Sequence, residues 1–443
     1  MKILHYSLGL PPYRSGGLTK YSLDIMKEQE KQGDEVYLLF PGKLLMTNKK
    51  TEIKFFGIKE SIRIYEIINP LPVPLLDGTL EPMRFMTSCD EDIFMYFLEK
   101  MQFDVVHIHT LMGLHKEMLL ACKKLGIKVV FTTHDYYGLC TKVNFVDNSG
   151  CVCKKRDVIK CLKCNATGFN KKKLYILQSP MYRILKSNKV FSLLKKIKKF
   201  KNSIQVPKAD IVIDKDKYEK LLKYYEDMFL LVDVFLFNSD VTKNIYEKYL
   251  KVKGEVVYIT HGDIKDRRKK KKFKKDNLNI TFLGPTEGYK GFNLLVLTME
   301  ELKKRNINNI NLNVYGKINV TSNILPNNIY LNGTYNQDDL ENIFSSTDLV
   351  IVPSIWYETF GFNTIEALSY GVPVIVSSRV GSRVLIESNF KENIFNPNVE
   401  EILRIIIRMF DDKGILQEQN EKICESSFKY YIEDHVKRIK EFY

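Results

Sequence analysis

Two successive series of strand–helix alternation predict an α/β protein of two facing Rossmann-like domains, each with a parallel sheet, and a ligand cleft between them. Two observations carry this reading: short β-branched segments recur with helical patterns between them, and 443 residues exceed one ordinary domain. In the first series, strands are expected at Lys2 to Tyr6, Glu35 to Phe40, Val105 to His109, Lys128 to Thr132 and Val232 to Phe237, with a helix over Tyr21 to Gln32. The second series runs through Leu278 to Leu283, Asn311 to Tyr315, Ile329 to Leu331, Asp348 to Val352 and Val374 to Val376. The join is expected near Gly262 to Asn277. That divides the chain into an N-terminal domain over 1–262, with an insertion over about 136–230, a C-terminal domain over 263–427 and a final helical segment over 428–443.

Composition sets outer limits. Hydrophobic residues make up 44% and charged residues 27%, as in a soluble protein able to bury real cores. The net charge of +15 and pI near 9.1 favour an acidic partner, although much of the excess is lysine, the usual coat of a solvated surface. Ile3 to Leu10 is too short for a secretory apolar region, and no apolar run reaches spanning length, so the chain reads as cytoplasmic.

The most informative segment is Pro353 to Val376. Its strand ends at Pro353, a helix is expected to start near Phe362 and stop before Gly371-Val372-Pro373, and Glu358 and Glu366 flank Phe360-Gly361. Backbone N–H groups around Phe360 and Gly361 would then meet a phosphate at the positive end of the helix dipole. Glu358 could accept hydrogen bonds from sugar hydroxyls, and Glu366 could take ribose hydroxyls. This Glu-x7-Glu pattern, with the trailing Glu-Ala-Leu-Ser-Tyr-Gly-Val-Pro-Val, closely resembles the donor-site signature of retaining glycosyltransferases of family 4, whose architecture is called GT-B.

Other segments resemble the same family. Pro11 to Gly17 looks like its glycine loop, where Gly16 and Gly17 let backbone approach a phosphate or sugar closely. Phe131-Thr132-Thr133-His134-Asp135 resembles the stretch whose histidine borders the reacting sugar, which makes His134 the candidate catalytic residue and Asp135 a group that orients it or holds the following loop. His107 and His109 read as packed, hydrogen-bonded strand histidines. Thr281 to Gly291 resembles the first strand and loop of the donor domain. Gly284 and Lys290 match, but the family's arginine is replaced by Pro285 or Thr286. Two cations normally clamp the diphosphate, so Lys317 or Arg379 would have to substitute. In resembling members, the last helix crosses back onto the first domain.

Of eight cysteines, five lie in Cys140 to Cys164. The Cys151-Val152-Cys153 and Cys161-Leu162-Lys163-Cys164 pairs have the spacing of a closed structural zinc site with no open catalytic position. Free or redox-active thiols and an iron–sulfur cluster are the alternatives. A subset of family 4 enzymes looks similar here. From Lys171 to Lys201, lysines and Arg183 interleave with apolar residues including Ile176, Met181, Ile184, Phe191, Leu193, Leu194 and Ile197. The segment could lie on an anionic membrane surface or form a packed helix pair with a basic face. Arg267 to Lys275 reads as a solvated interdomain linker, and no nucleic-acid-binding module is recognisable.

The resemblance therefore implies a retaining enzyme, without catalytic metal, that transfers a hexose or related sugar from a nucleotide diphosphate sugar to a hydroxyl. His134, Glu358 and Lys290 would serve catalysis; Gly16, Gly17, Gly284, Lys290, Phe360, Gly361 and Glu366 would hold the donor; Cys151, Cys153, Cys161 and Cys164 would hold zinc. The acceptor is expected to be a lipid-linked or surface-polysaccharide precursor met on the inner face of the membrane. A protein-directed enzyme and a non-catalytic sugar-nucleotide-binding partner remain the alternatives.

Overall fold

A computed structural model describes residues 1–187, 214–321 and 325–443. They form two compact units. One contains Met1–Phe237, Ile245–Val257 and Val436–Tyr443; the other contains Asn238–Asn244 and Tyr258–His435.

The first unit is built on eight strands: β1 (Lys2–Tyr6), β2 (Glu35–Pro41), β3 (Glu52–Lys59), β4 (Ile62–Ile68), β5 (Val105–Ile108), β6 (Lys128–Thr133), β7 (Val234–Phe237) and β8 (Gly254–Val256). Their order is β3-β4-β2-β1-β5-β6-β7-β8, parallel except for the antiparallel edge pair β3–β4. The central strands are buried on both faces, as continuous apolar runs such as Val105–Ile108 require. The edge strand β3 escapes the sequence reading because its charges and apolar residues do not settle one buried face; Phe55, Phe56 and Ile58 are exposed. The helix Gly17–Lys31 follows β1 and presents Tyr21, Ile25 and Met26 to the interior. The segment Val436–Tyr443 belongs to this unit, tied by an ion pair of 2.6 Å between Lys440 and Asp34.

The second unit has six parallel strands in the order β11-β10-β9-β12-β13-β14. These are β9 (Leu278–Leu283), β10 (Ile310–Tyr315), β11 (Ile329–Gly333), β12 (Leu349–Val352), β13 (Val374–Ser377) and β14 (Ile394–Phe395). The two-residue side-chain period divides β12 between two cores. Leu349 and Ile351 join one with the helices Phe292–Lys304 and Val399–Asp411, while Val350 and Val352 join another with Ala367 and Leu368.

Arg267 to Lys275 corrects the linker expectation. Arg268 pairs with Asp266 at 2.8 Å and donates to the Ser426 carbonyl at 2.7 Å, and Lys269 reaches Glu341 at 2.6 Å. Lys271 donates to the Phe344 and Thr347 carbonyls at 2.6 and 2.5 Å, at the end of the helix Leu340–Ser345. Cations at a helix C-terminus satisfy its open carbonyls, so this basic run is a strap across the second unit. Among the described residues, no helix is long and apolar enough to cross a membrane. Of the amphipathic stretch, Phe191, Leu193, Leu194 and Ile197 lie outside the described residues.

Two glycines permit the closest backbone approaches around the second sheet. A Cβ on Gly291, at φ +84°, would lie 2.0 Å from the Pro353 carbonyl oxygen; one on Gly316, at φ +146°, would lie 2.1 Å from that of Gly284. Gly291→Ala is expected to lose about 2 kcal/mol or more of stability. Chemical denaturation of the full chain checks this, with Gly33→Ala as a control for left-handed backbone without a steric neighbour.

Candidate functional site

The loops after β9 and β12 bring together residues that are distant in sequence. Gly284 leaves β9, and the turn Gly288–Lys290 ends on Gly291, which starts the helix Phe292–Lys304. The close approach of Gly291 to Pro353 sets Lys290 beside the second loop. There Lys290 Nζ lies 2.5 Å from Glu358 Oε1, both side chains being largely buried. Ser354 Oγ donates to the other carboxylate oxygen. Lys290 also stands 5.3 Å from the centre of the Trp356 ring, whose buried Nε1–H has no hydrogen-bond partner. An orphan donor of this kind costs about 1–3 kcal/mol unless an acceptor arrives.

The backbone of Glu358 is pinned on both sides: its N–H donates to Arg379 O at 3.0 Å, and its carbonyl accepts from Gly381 N–H at 3.0 Å. Phe360 is buried, with its carbonyl accepting from Ser382 N–H at 2.8 Å. Gly361, at φ +92°, precedes the helix Phe362–Ser369. Glu366 projects from that helix, buried, with Oε1 3.4 Å from Nε2 of buried His261. Sequence reading missed His261 because nothing near it in the chain signals this contact.

The place of the absent arginine is taken up structurally. Thr286 accepts through Oγ1 from Asn319 N–H at 2.8 Å. Of the two substitute cations, Lys317 is exposed and lies 3.9 Å from Glu287. Arg379 lies within the Glu358 cluster, donating to the Ile355 carbonyl at 2.6 Å and standing 5.9 Å from the Tyr357 ring centre. Arg379 is the better-placed second cation.

In the first unit, Gly16 takes φ +122° immediately before the helix that begins at Gly17. His134, half-buried, follows β6, with its Nε2 3.4 Å from His109 Nδ1. Asp135 holds the next loop: it accepts from Tyr137 N–H at 2.9 Å and Thr110 Oγ1 at 3.1 Å. Burial raises its carboxyl to about 6. His5, His107 and His109 are wholly buried and bring ring nitrogens within 4.8 Å of one another. Burial lowers His5 to about 4 and His109 well below the usual range. Their nitrogens engage one another, Gln29, Thr132 and Tyr443 in a buried hydrogen-bonded cluster.

The cysteines divide differently from the two spaced pairs. Cys140, Cys153, Cys161 and Cys164 line one small cavity, whereas Cys151 is exposed and does not line it. Burial raises all four cavity thiols, Cys140 to about 12, so they are held neutral. The groups of potential ligand atoms within 4.8 Å among the described residues are the three histidines and Cys89–His115–Glu117; the cysteine cluster is wider.

Residues 15–150 match the family described as Glycosyltransferase Family 4, and residues 263–429 match Glycosyl transferases group 1. Over 232 residues, the chain is 25% identical to an uncharacterized 41.2 kDa protein in the cps region of Klebsiella pneumoniae. That match covers 51% of this chain and 61% of the relative, so less than two thirds of the relative's length is spanned. Similar solved structures include Anabaena HepE in complex with UDP, at TM-score 0.58 and 12% identity, covering all of this chain and 99% of that one. Another is WaaG, a glycosyltransferase involved in lipopolysaccharide biosynthesis, at TM-score 0.56 and 12% identity, covering 99% of each chain. These likenesses make the fold GT-B.

The Lys290–Glu358 contact makes a measurable coupling. Lys290→Met and Glu358→Gln should each destabilise the protein, and the double variant should lose less than their sum by about 1 kcal/mol or more. Denaturation of the four proteins of this cycle checks it, additivity being the outcome that denies the contact.

Proposed function

We propose that the protein is a retaining glycosyltransferase that moves a hexose or related sugar from a nucleotide diphosphate sugar to a hydroxyl acceptor. The observation that carries this is the Lys290–Glu358 pair, set beside the Gly361-headed helix that also bears Glu366. A cation, a carboxylate and a helix N-terminus in one place suit a diphosphate joined to a sugar. HepE, crystallised with UDP, favours a uridine donor.

In this reading, Lys290 turns from Glu358 to the diphosphate and, with Arg379 and the Phe360 and Gly361 amides, stabilises charge as the phosphate leaves. Gly284 keeps the neighbouring backbone open to it. Glu358 is then released to sugar hydroxyls, Glu366 takes the ribose, and Trp356 Nε1–H gains an acceptor. His134 and the Gly16-Gly17 turn are read as sugar-facing groups of the first unit. The sugar–phosphate C–O bond breaks, the acceptor oxygen bonds to the same face, and the departing phosphate oxygen takes the acceptor's proton. The catalysis needs no metal. The absence of the loop arginine favours one other reading, a partner that binds sugar nucleotides without turnover.

A lipid-linked or surface-polysaccharide acceptor is favoured by the role printed for WaaG and by the helices Lys171–Leu177 and Pro180–Ser187. Ile176, Met181 and Ile184 are exposed there beside Lys171, Lys172 and Lys173, a combination suited to the interface of an anionic membrane. Tyr13 of the glycine loop ties to this pair of helices, donating to Leu177 O at 3.0 Å and accepting from Lys186 Nζ through its carbonyl at 2.8 Å. A structural zinc fits the cysteine cavity best with Cys140, Cys153, Cys161 and Cys164 as thiolate ligands, after they draw inward.

Calorimetry against uridine, guanosine and adenosine diphosphate sugars should show selective binding of one donor, lost in Glu366→Ala. Glu358→Gln should lower transfer by about 10²-fold or more, with the product anomer matching the donor's. Near-normal transfer by Glu358→Gln refutes the assignment, and binding without transfer or hydrolysis favours the non-catalytic partner. Metal analysis of purified protein should find one zinc, lost in Cys140→Ser and kept in Cys151→Ser; the reverse pattern restores the pairing read from spacing.

A further inference from the structure

Cys89, His115 and Glu117 come from two places in the first unit. Cys89 follows the short helix Pro82–Met86, while His115 and Glu117 stand at the start of the helix Lys116–Lys124. One Sγ, one ring nitrogen and one carboxylate oxygen from the three lie within 4.8 Å of one another. Cys89 N–H also donates to Glu117 Oε1 at 3.3 Å, which ties the two segments together.

Two groups in this cluster lack what their chemistry requires. Both ring nitrogens of buried His115 face carbonyl oxygens, Nδ1 at 3.2 Å from Thr87 O and Nε2 at 3.2 Å from Asn69 O. A carbonyl oxygen only accepts, and a neutral imidazole donates from one nitrogen, so the lone pair of the other nitrogen points at a second lone pair. A second proton would relieve this, but burial opposes it. A metal cation relieves it as well. It takes the lone pair of one nitrogen and leaves the other as an N–H donor to its carbonyl, the usual means of orienting a metal-bound histidine. The second group is Glu117, whose Oε2 is buried without a hydrogen-bond partner. Among the described residues its carboxylate forms no ion pair. A buried carboxylate oxygen with neither donor nor cation is costly until a positive charge arrives.

We propose that Cys89, His115 and Glu117 bind a zinc ion, which fastens the segment after Pro82–Met86 to the start of the helix Lys116–Lys124. Thiolate, imidazole and carboxylate are the three ligand types that zinc takes, and water from the cavity of about 270 Å³ that His115 borders supplies the fourth position. As the S–Zn bond forms, the Cys89 thiol gives up its proton to solvent. The site is independent of the proposed transfer reaction. Three protein ligands hold an ion less firmly than four thiolates, so this ion is expected to be lost in purification and regained when metal is added back.

Cobalt(II), which takes zinc sites and reports thiolate ligands by its absorption, is titrated into the full chain as purified. Wild type should bind one ion more than Cys89→Ala, and the difference between their spectra should contain a thiolate-to-cobalt band that added zinc abolishes. The subtraction removes any contribution of the other cysteines. His115→Gln and Glu117→Gln should each weaken this uptake about tenfold or more. Equal uptake without a difference band overturns the proposal and leaves His115 as an imidazolium beside Glu117. Should circular dichroism show that Cys89→Ala fails to fold, Glu117→Gln decides, since it keeps an acceptor for Cys89 N–H: unchanged cobalt affinity in that variant overturns the assignment.

Discussion

The approach of Gly291 to Pro353 is the constraint from which the geometry around Lys290 and Glu358 follows. Two backbones can come that close only where no Cβ intervenes. Because they do, the turn after β9 and the loop after β12 share a corner, and a lysine and a glutamate separated by 68 positions form one ion pair. The parallel order of the sheet supplies the rest: β9 and β12 are neighbours, so the segments leaving their carboxyl ends emerge side by side. Glu358 is held by both its backbone N–H and its carbonyl, and Ser354 and Lys290 meet its carboxylate.

Both units pair their buried charges, and the first adds a buried hydrogen-bonded cluster. In the second, Lys290 pairs with Glu358, and the basic strap meets helix carbonyls and carboxylates. In the first, the ion pairs Lys440–Asp34 and Arg183–Glu66 are accompanied by a buried hydrogen-bonded group of imidazoles, an amide and hydroxyls.

Most of the architecture was legible from the chain. The strands that are buried on both faces read as continuous apolar runs, and the expected Leu278–Leu283 is found with the same ends. Glu358, Phe360, Gly361 and Glu366 could be proposed together because they occupy one strand–loop–helix unit. What stayed hidden depends on long-range contact. Tyr443 looks like an ordinary terminal aromatic until its hydroxyl is seen between Gln29 and His107, 414 and 336 residues away. The strap was misread because a run of lysines resembles a solvated linker unless its carbonyl partners are known. Cys140 was set apart by its distance in sequence from the two pairs, although folding returns it to the cavity that three of those cysteines line.

The edge strand β3 has a consequence for how copies of the molecule behave in solution. Its register shifts between Phe55 and Gly57, and its outward apolar residues are interspersed with Lys54 and Lys59. An interrupted, bent ladder is a poor template for a second strand. The edge is therefore guarded by its shape, a guard that salt does not remove.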